Sequence, residues 1–200
     1  MNFLAHILLS GSRPDMQMGG FLGDFVKGPL RGGFPAEIEA GIQLHRNIDA
    51  YTDSLPALRA LRALLPREWR RYHGILTDIL YDHFLAQYWD AYHSEPIDRF
   101  CARFYQTAAQ RQHLLPDHAR RLGLLGLREP WLQGYAQRSA IAQVLTRTGS
   151  RLRRPVPLQD ALLHIEPQLA HYRETFEFVF PTLQTFAAQE ERLLLSRLSP

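Results

Sequence analysis

The sequence predicts an all-α chain, and three observations carry that prediction. Apolar residues recur at spacings of three and four, as in Leu58, Leu61 and Leu65 or Ile75, Ile79, Phe84 and Tyr88, which is the period of one helix face. Runs of β-branched residues and the Asn-Gly or Asp-Gly pairs that turn hairpins are absent. The interruptions are short Pro and Gly breaks at Arg31 to Pro35, Leu65-Pro66, Glu95-Pro96, Leu115-Pro116 and Arg154 to Pro157. With no repeat, low-complexity tract or Gly/Ser linker between them, a single domain over 1–200 is the economical organisation.

The elements follow in order. Asn2-Phe3-Leu4-Ala5-His6 opens an apolar helix expected over 2–10, and a second is expected over 16–27. A third, over 35–52, places Ile38, Ile42, Ile48 and Thr52 on one face. Asp53-Ser54 ahead of Leu55-Pro56 resembles a capped start for a helix over 54–64. The strongly apolar stretch over 66–92 reads as one long helix. Further helices are expected over 96–113 and 117–125, each entered through a proline, then over 131–148 and 158–196. The last should break around Pro167 and Pro181, because proline has no amide donor and clashes with the preceding turn.

Composition narrows the function classes. The 200 residues are 46% hydrophobic and 22% charged, a balance that forms a globular core rather than a disordered chain. No apolar stretch approaches the ~20 residues that cross a bilayer, and no basic leader precedes an apolar core at the start. With one cysteine, Cys101, neither an internal disulfide nor a thiolate metal cluster is available, so a cytoplasmic location is expected and any metal site must use His and carboxylates. Lys27 is the only lysine; arginine supplies the rest of a net charge of +3. That mild excess fits an acidic partner and argues against nucleic acid.

Acids and histidines on apolar helix faces are the informative exceptions, because an unpartnered buried charge costs roughly 3–5 kcal/mol. In Gly41-Ile-Gln-Leu-His45-Arg46-Asn-Ile-Asp49, His45 and Asp49 lie four apart near the middle of the apolar face. In Thr77-Asp78-Ile-Leu-Tyr-Asp82-His83-Phe84, two aspartates lie four apart at the edge of the apolar arc, with His83 near its centre. Two such carboxylates repel unless a cation lies between them. His6 sits among apolar neighbours, and Asp24 lies between Phe21-Leu22 and Phe25-Val26, which should bury it; Lys27 is three residues on. Each residue alone is equally at home as a satisfied core or surface group. Together they suit a mixed nitrogen and oxygen site for Mn²⁺, Mg²⁺, Fe²⁺ or Zn²⁺.

Such a cation activates water and draws charge from phosphoryl oxygens, while Arg46 and Lys27 stand next to the candidate ligands and suit phosphate binding. Phosphate-ester hydrolysis is the reaction class implied. No Walker loop, Gly-x-Ser-x-Gly elbow, dinucleotide-binding turn or His-Glu-x-x-His motif competes with it. The basic clusters Arg67-Glu-Trp-Arg-Arg71 and Gly149-Ser-Arg-Leu-Arg-Arg-Pro155 read either as solvated helix ends or as a docking surface for an acidic protein.

The runs Asn2 to His6, Gly23-Asp-Phe-Val-Lys-Gly28, Gly41 to Asp49 with Thr52-Asp53, and Asp82-His-Phe-Leu85 resemble bacterial acyl carrier protein phosphodiesterases. The resemblance is specific over 1 to about 92 and weaker beyond. It implies a Mn²⁺-dependent hydrolase that frees 4′-phosphopantetheine from holo-acyl carrier protein, and an all-α bundle related to HD-type phosphohydrolases. It further implies His6, Asp24, His45 and Asp78 as metal ligands, with Asp49, Asp82, His83 and Arg46 in the catalytic machinery and Lys27 and Arg46 on the phosphate. The chain departs from the HD pattern, since no His-Asp dipeptide occurs and 82–83 reads Asp-His. Two alternatives stay open: a non-catalytic helical protein that binds an acidic partner, and a hydrolase of a small phosphate ester.

Overall fold

The computed structural model describes residues 2–198; residues 1, 199 and 200 of the expected domain lie outside it. Among the described residues every regular element is helical. The helices are α1 (Phe3–Leu9), α2 (Pro14–Leu22), α3 (Ala36–Ser54), α4 (Pro56–Leu64), α5 (His73–Gln87), α6 (Ile97–Gln110), α7 (Asp117–Leu125), α8 (Arg138–Ser150), α9 (Leu162–Ile165) and α10 (Leu169–Ser196), joined in part by short 3-10 turns. Pro14 and Pro56 occupy the first turn of their helices, and Pro35, Pro96 and Pro116 stand immediately before theirs. A missing amide proton costs nothing there.

Buried apolar side chains form one connected core from Leu4 to Leu194. α5 runs through its middle, with α1, α8 and α10 packed on it; from Ile79 to Ala86 every side chain is buried, as expected of a helix enclosed on all sides. α3 lies between α2 and α10. Its α10 side is held by the stacked rings of Tyr51 and Phe186, 4.1 Å apart, and by Asn47 Nδ2 donating to Glu190 Oε2 at 2.7 Å. On its α2 side the helices cross at two glycines. A Cβ on Gly19 would lie 2.6 Å from Gly41 Cα, and one on Gly41 2.3 Å from the Met16 carbonyl oxygen, so the two backbones touch.

Several boundaries differ from expectation. α2 ends at Leu22, and 23–35 form turns and loop in which Gly28 and Gly32 take φ of +83° and +75°; this lifts Asp24 and Lys27 off the helix. Asp53-Ser54 does not cap α4. Those residues complete α3, with Ser54 Oγ donating to the Tyr51 carbonyl, and Leu55 in extended geometry precedes Pro56. The long helix expected over 66–92 is α5 flanked by 3-10 turns at Arg70–Tyr72 and Trp89–Ala91. The break near Pro167 occurs, whereas Pro181 lies inside the 28-residue α10. Pro181 faces solvent, while Val179, Phe180 and Leu183 beside it are buried; packing of that inner face holds the helix across the lost hydrogen bond.

No helix among the described residues is long and apolar enough to cross a membrane.

Candidate functional site

Three elements bring the central group together. α1 supplies His6, the turn after α2 supplies Asp24, and α3 supplies His45 and Asp49. The two imidazoles stack face to face with centroids 3.6 Å apart. Asp49 Oδ1 lies 3.0 Å from His6 Nε2 and Asp49 Oδ2 3.2 Å from His45 Nε2, while Asp24 Oδ1 is 3.8 Å from His45 Nε2. One ligating atom from each of His6, His45 and Asp49 falls within 4.8 Å of the others. Both histidines are buried, and the Asp49 side chain is 43% exposed. The centre therefore sits at the floor of an opening to solvent.

Local structure fixes the His45 ring. Its Nδ1 donates to the Gly20 carbonyl at 2.8 Å, and a carbonyl only accepts, so a proton resides on Nδ1 and Nε2 is the nitrogen turned to the site. Gly23 makes room for it, because a Cβ there would lie 2.1 Å from His45 Cγ. That nitrogen faces the carboxylate oxygens of Asp49 and Asp24. His6 is 1% exposed, and its Nε2 lies against the Asp49 carboxylate. Burial, with His45 beside it, pushes its pKa down to about 3 and keeps the ring neutral. For Asp49, burial works upward, but the contacts with His45 and His6 outweigh it and hold the carboxyl far below the usual range. Two imidazole nitrogens and an ionised carboxylate brought this close are a donor set suited to a divalent cation.

Around this centre lies a cavity of about 270 Å³ lined by Gly23, Asp24, Lys27, His45, Arg46 and Asp49. Arg46 Nη2 donates to the Val26 carbonyl at 3.0 Å, which pins the loop carrying Lys27 over the opening. Asp24 is exposed at 41% of its side chain, contrary to the burial expected from its aromatic neighbours: Phe21 and Phe25 pack on each other and on Phe3, leaving the carboxylate outside. Asp78, half-buried on α5, lines a neighbouring cavity of about 280 Å³ with Asp53, Arg59, Arg62 and His73. Burial raises its pKa, and the charges of Asp49 and Asp24 add to the rise.

Asp82 and His83 are not gathered into this opening. Asp82 is fully buried and accepts from the Leu4 and Ala5 amides at 2.8 and 3.0 Å, closing the first turn of α1, whose amides have no partner within the helix. Burial lifts its pKa to about 7 against the lowering by those two amides. His83 Nδ1 donates to the Tyr135 carbonyl at 2.8 Å. The sequence reading missed Gly20 and Gly23, whose carbonyl and missing side chain aim His45; an apolar helix ending in glycine opposite a histidine face was the available signal. It also missed His73 beside Asp78.

Fold and centre together define an all-helical protein with a histidine and carboxylate cluster in a pocket that Lys27 and Arg46 also line. Comparison with known proteins is specific: the family model described as acyl carrier protein phosphodiesterase matches residues 1–183, and the chain belongs to that family. Proteins named acyl carrier protein phosphodiesterase from Yersinia pestis (33% identical over 196 residues), Pectobacterium atrosepticum (31% over 192) and Escherichia coli O157:H7 (32% over 194) are similar along 95–96% of this chain and 99–100% of their own. No solved structure matches the chain.

Proposed function

We propose that the protein is a cytoplasmic hydrolase that cleaves the phosphodiester joining 4′-phosphopantetheine to the serine of holo-acyl carrier protein, using Mn²⁺ or a similar divalent ion. The observation that carries the metal is the convergence of one ligating atom each from His6, His45 and Asp49 within 4.8 Å, with Asp24 Oδ1 3.8 Å from His45 Nε2. When bound, the ion supplies an acidified water and a Lewis acid for a phosphoryl oxygen. The chain does the rest. His45 is held in its ligating tautomer by Gly20, and Asp49 stays ionised. Arg46 and Lys27 take the remaining phosphate oxygens at the mouth. The oxygen of water ends on phosphorus and the serine oxygen leaves with a proton, giving apo-carrier and 4′-phosphopantetheine.

Within this reading Asp78 stands beside the ligand set rather than in its centre, and Asp82 and His83 are positioning residues in place of the acid and base roles first expected of them. A relation to HD-type phosphohydrolases is part of the same proposal. The test is mass spectrometry of holo-acyl carrier protein incubated with the purified protein. Loss of the arm should require Mn²⁺, stop with chelator, and fail in His45→Ala and Asp49→Ala variants that keep their helical circular dichroism but no longer take up metal. Full turnover in either variant, or under chelation, overturns the metal centre. A complex that forms without metal and never changes mass favours a binding protein.

A further inference from the structure

A second cavity, of about 550 Å³, is larger than the one at the histidine and carboxylate cluster. It lies between the start of α1, the segment around Trp131 and Tyr135, and α8, and its walls include Phe3, Leu122, Trp131, Tyr135 and Val144. Both its size and its apolar lining with a few polar groups are those of a small-ligand site. Asn2, Gln143 and Thr148 supply the polar groups, and exposed Arg128, Arg147 and Arg151 stand at its rim.

The two cavities have no lining residue in common, but a ring contact links their surroundings. Phe3 lines the large one and stacks on Phe25 at 5.8 Å; Phe25 follows Asp24 of the small one. One helical turn beyond Phe3, about 4.5 Å along the axis, is His6. The Asp82-His83 pair braces this region from α5: Asp82 holds the Leu4 and Ala5 amides, His83 holds the Tyr135 carbonyl, and Asn2 Nδ2 donates to Tyr135 Oη at 2.7 Å. Two adjacent side chains thus fix the position of the cavity and of the His6 helix together.

We infer that this cavity seats the pantetheine arm of the carrier, with the phosphodiester at the cation cluster and the rim arginines on the acidic carrier surface. The inference rests on the hydrolase reading for the identity of the arm. Past the phosphate the arm is an uncharged flexible chain of methylenes, a dimethyl group, a hydroxyl and two amides. An aromatic and aliphatic trough with carboxamide and hydroxyl groups matches it, and the cavity's charged residues, Arg128, Glu129, Arg147 and Arg151, are exposed. The basic rim adds steering and orientation for the acidic protein that carries it.

The test reads binding rather than turnover. In a His45→Ala background, which cannot process the arm, affinity for holo- and apo-acyl carrier protein is measured by calorimetry. Holo-carrier should bind at least about tenfold tighter than apo-carrier. Val144→Trp, which fills the trough, should erase that preference and leave the apo affinity intact, and the intact apo affinity certifies the fold. Ala140→Leu, one turn away on the same wall, should give a graded loss. No holo preference, a preference that survives Val144→Trp, or equal weakening of both carriers overturns the inference; the last would place the carrier's own surface in the trough. An unchanged carrier mass after incubation of the wild type with Mn²⁺ counts against the hydrolase reading alone.

Discussion

Gly23 is the most exacting position in the site, and Gly23→Ala tests how the centre is aimed. The added methyl would lie 2.1 Å from His45 Cγ, 2.3 Å from Cδ2 and 2.5 Å from Nδ1. The ring has no cheap escape, since one face rests on His6 at 3.6 Å and Nδ1 is tied to the Gly20 carbonyl. Either the ring rotates and loses that bond, about 1 kcal/mol, or the turn after α2 moves, with an overpacking cost of roughly 1–3 kcal/mol. At roughly 2–4 °C per kcal/mol for a chain of this size, melting should fall by several degrees. The larger effect should be on metal: misorienting a ligating histidine costs about 10–100-fold in affinity. Calorimetric titration with Mn²⁺ beside a melting curve measures both. Wild-type affinity together with wild-type melting would refute the account of how His45 is held.

Four further outcomes are expected. Asp82→Asn should cost about 1–3 kcal/mol, because the carboxamide can accept from only one of the Leu4 and Ala5 amides and turns a donor toward the other. Asp82 also carries a pH signature: its folded pKa is raised from 3.8 to about 7, so its contribution to stability is complete below pH 4. That contribution is lost as pH rises through about 7, by at most about 1.4 kcal/mol per pH unit. Denaturant curves across that window should differ in slope between wild type and Asp82→Asn, and parallel curves would count against the buried carboxyl. Pro181→Ala should stabilise α10 by up to about 3 kcal/mol, read as a higher melting temperature; a lower one would mean that the neighbouring core depends on the proline. Raising ionic strength should increase the KM for holo-acyl carrier protein, since charges at an exposed rim are screened, and a flat KM would remove electrostatic docking from the account.

Much of the fold was legible in local pattern. α7 begins and ends where the spacing places it, and the face of α3 bearing Ile38, Ile42, His45 and Ile48 is buried as its period requires. What failed depends on partners distant in sequence. Asp82 reads on a helical wheel as half of a carboxylate pair with Asp78, yet its partners are amides 77 and 78 residues away, and no periodicity reports a carboxylate turned to cap another helix. Asp24 seemed buried because its neighbours are aromatic, but those rings pack on Phe3 from α1. Pro181 seemed a breaker because the sequence does not say which face of α10 meets the core. The pairing of His45 with Asp49 was legible because both sit on one helix; His6 joined them through the family resemblance rather than any local pattern, and the stacking of its ring on His45 was not legible.

The bare contact between α2 and α3 bears on how this chain tolerates change. Where side chains separate two helices, a new rotamer or an altered volume shifts their spacing by fractions of an ångström. At Gly19 and Gly41 main chain rests on main chain, a stop that cannot be compressed, and Gly20 and His45 lie within a turn or so of it. Repacking elsewhere in the interior can therefore drift without detuning the imidazole geometry, while a single methyl at that stop would be felt there at once.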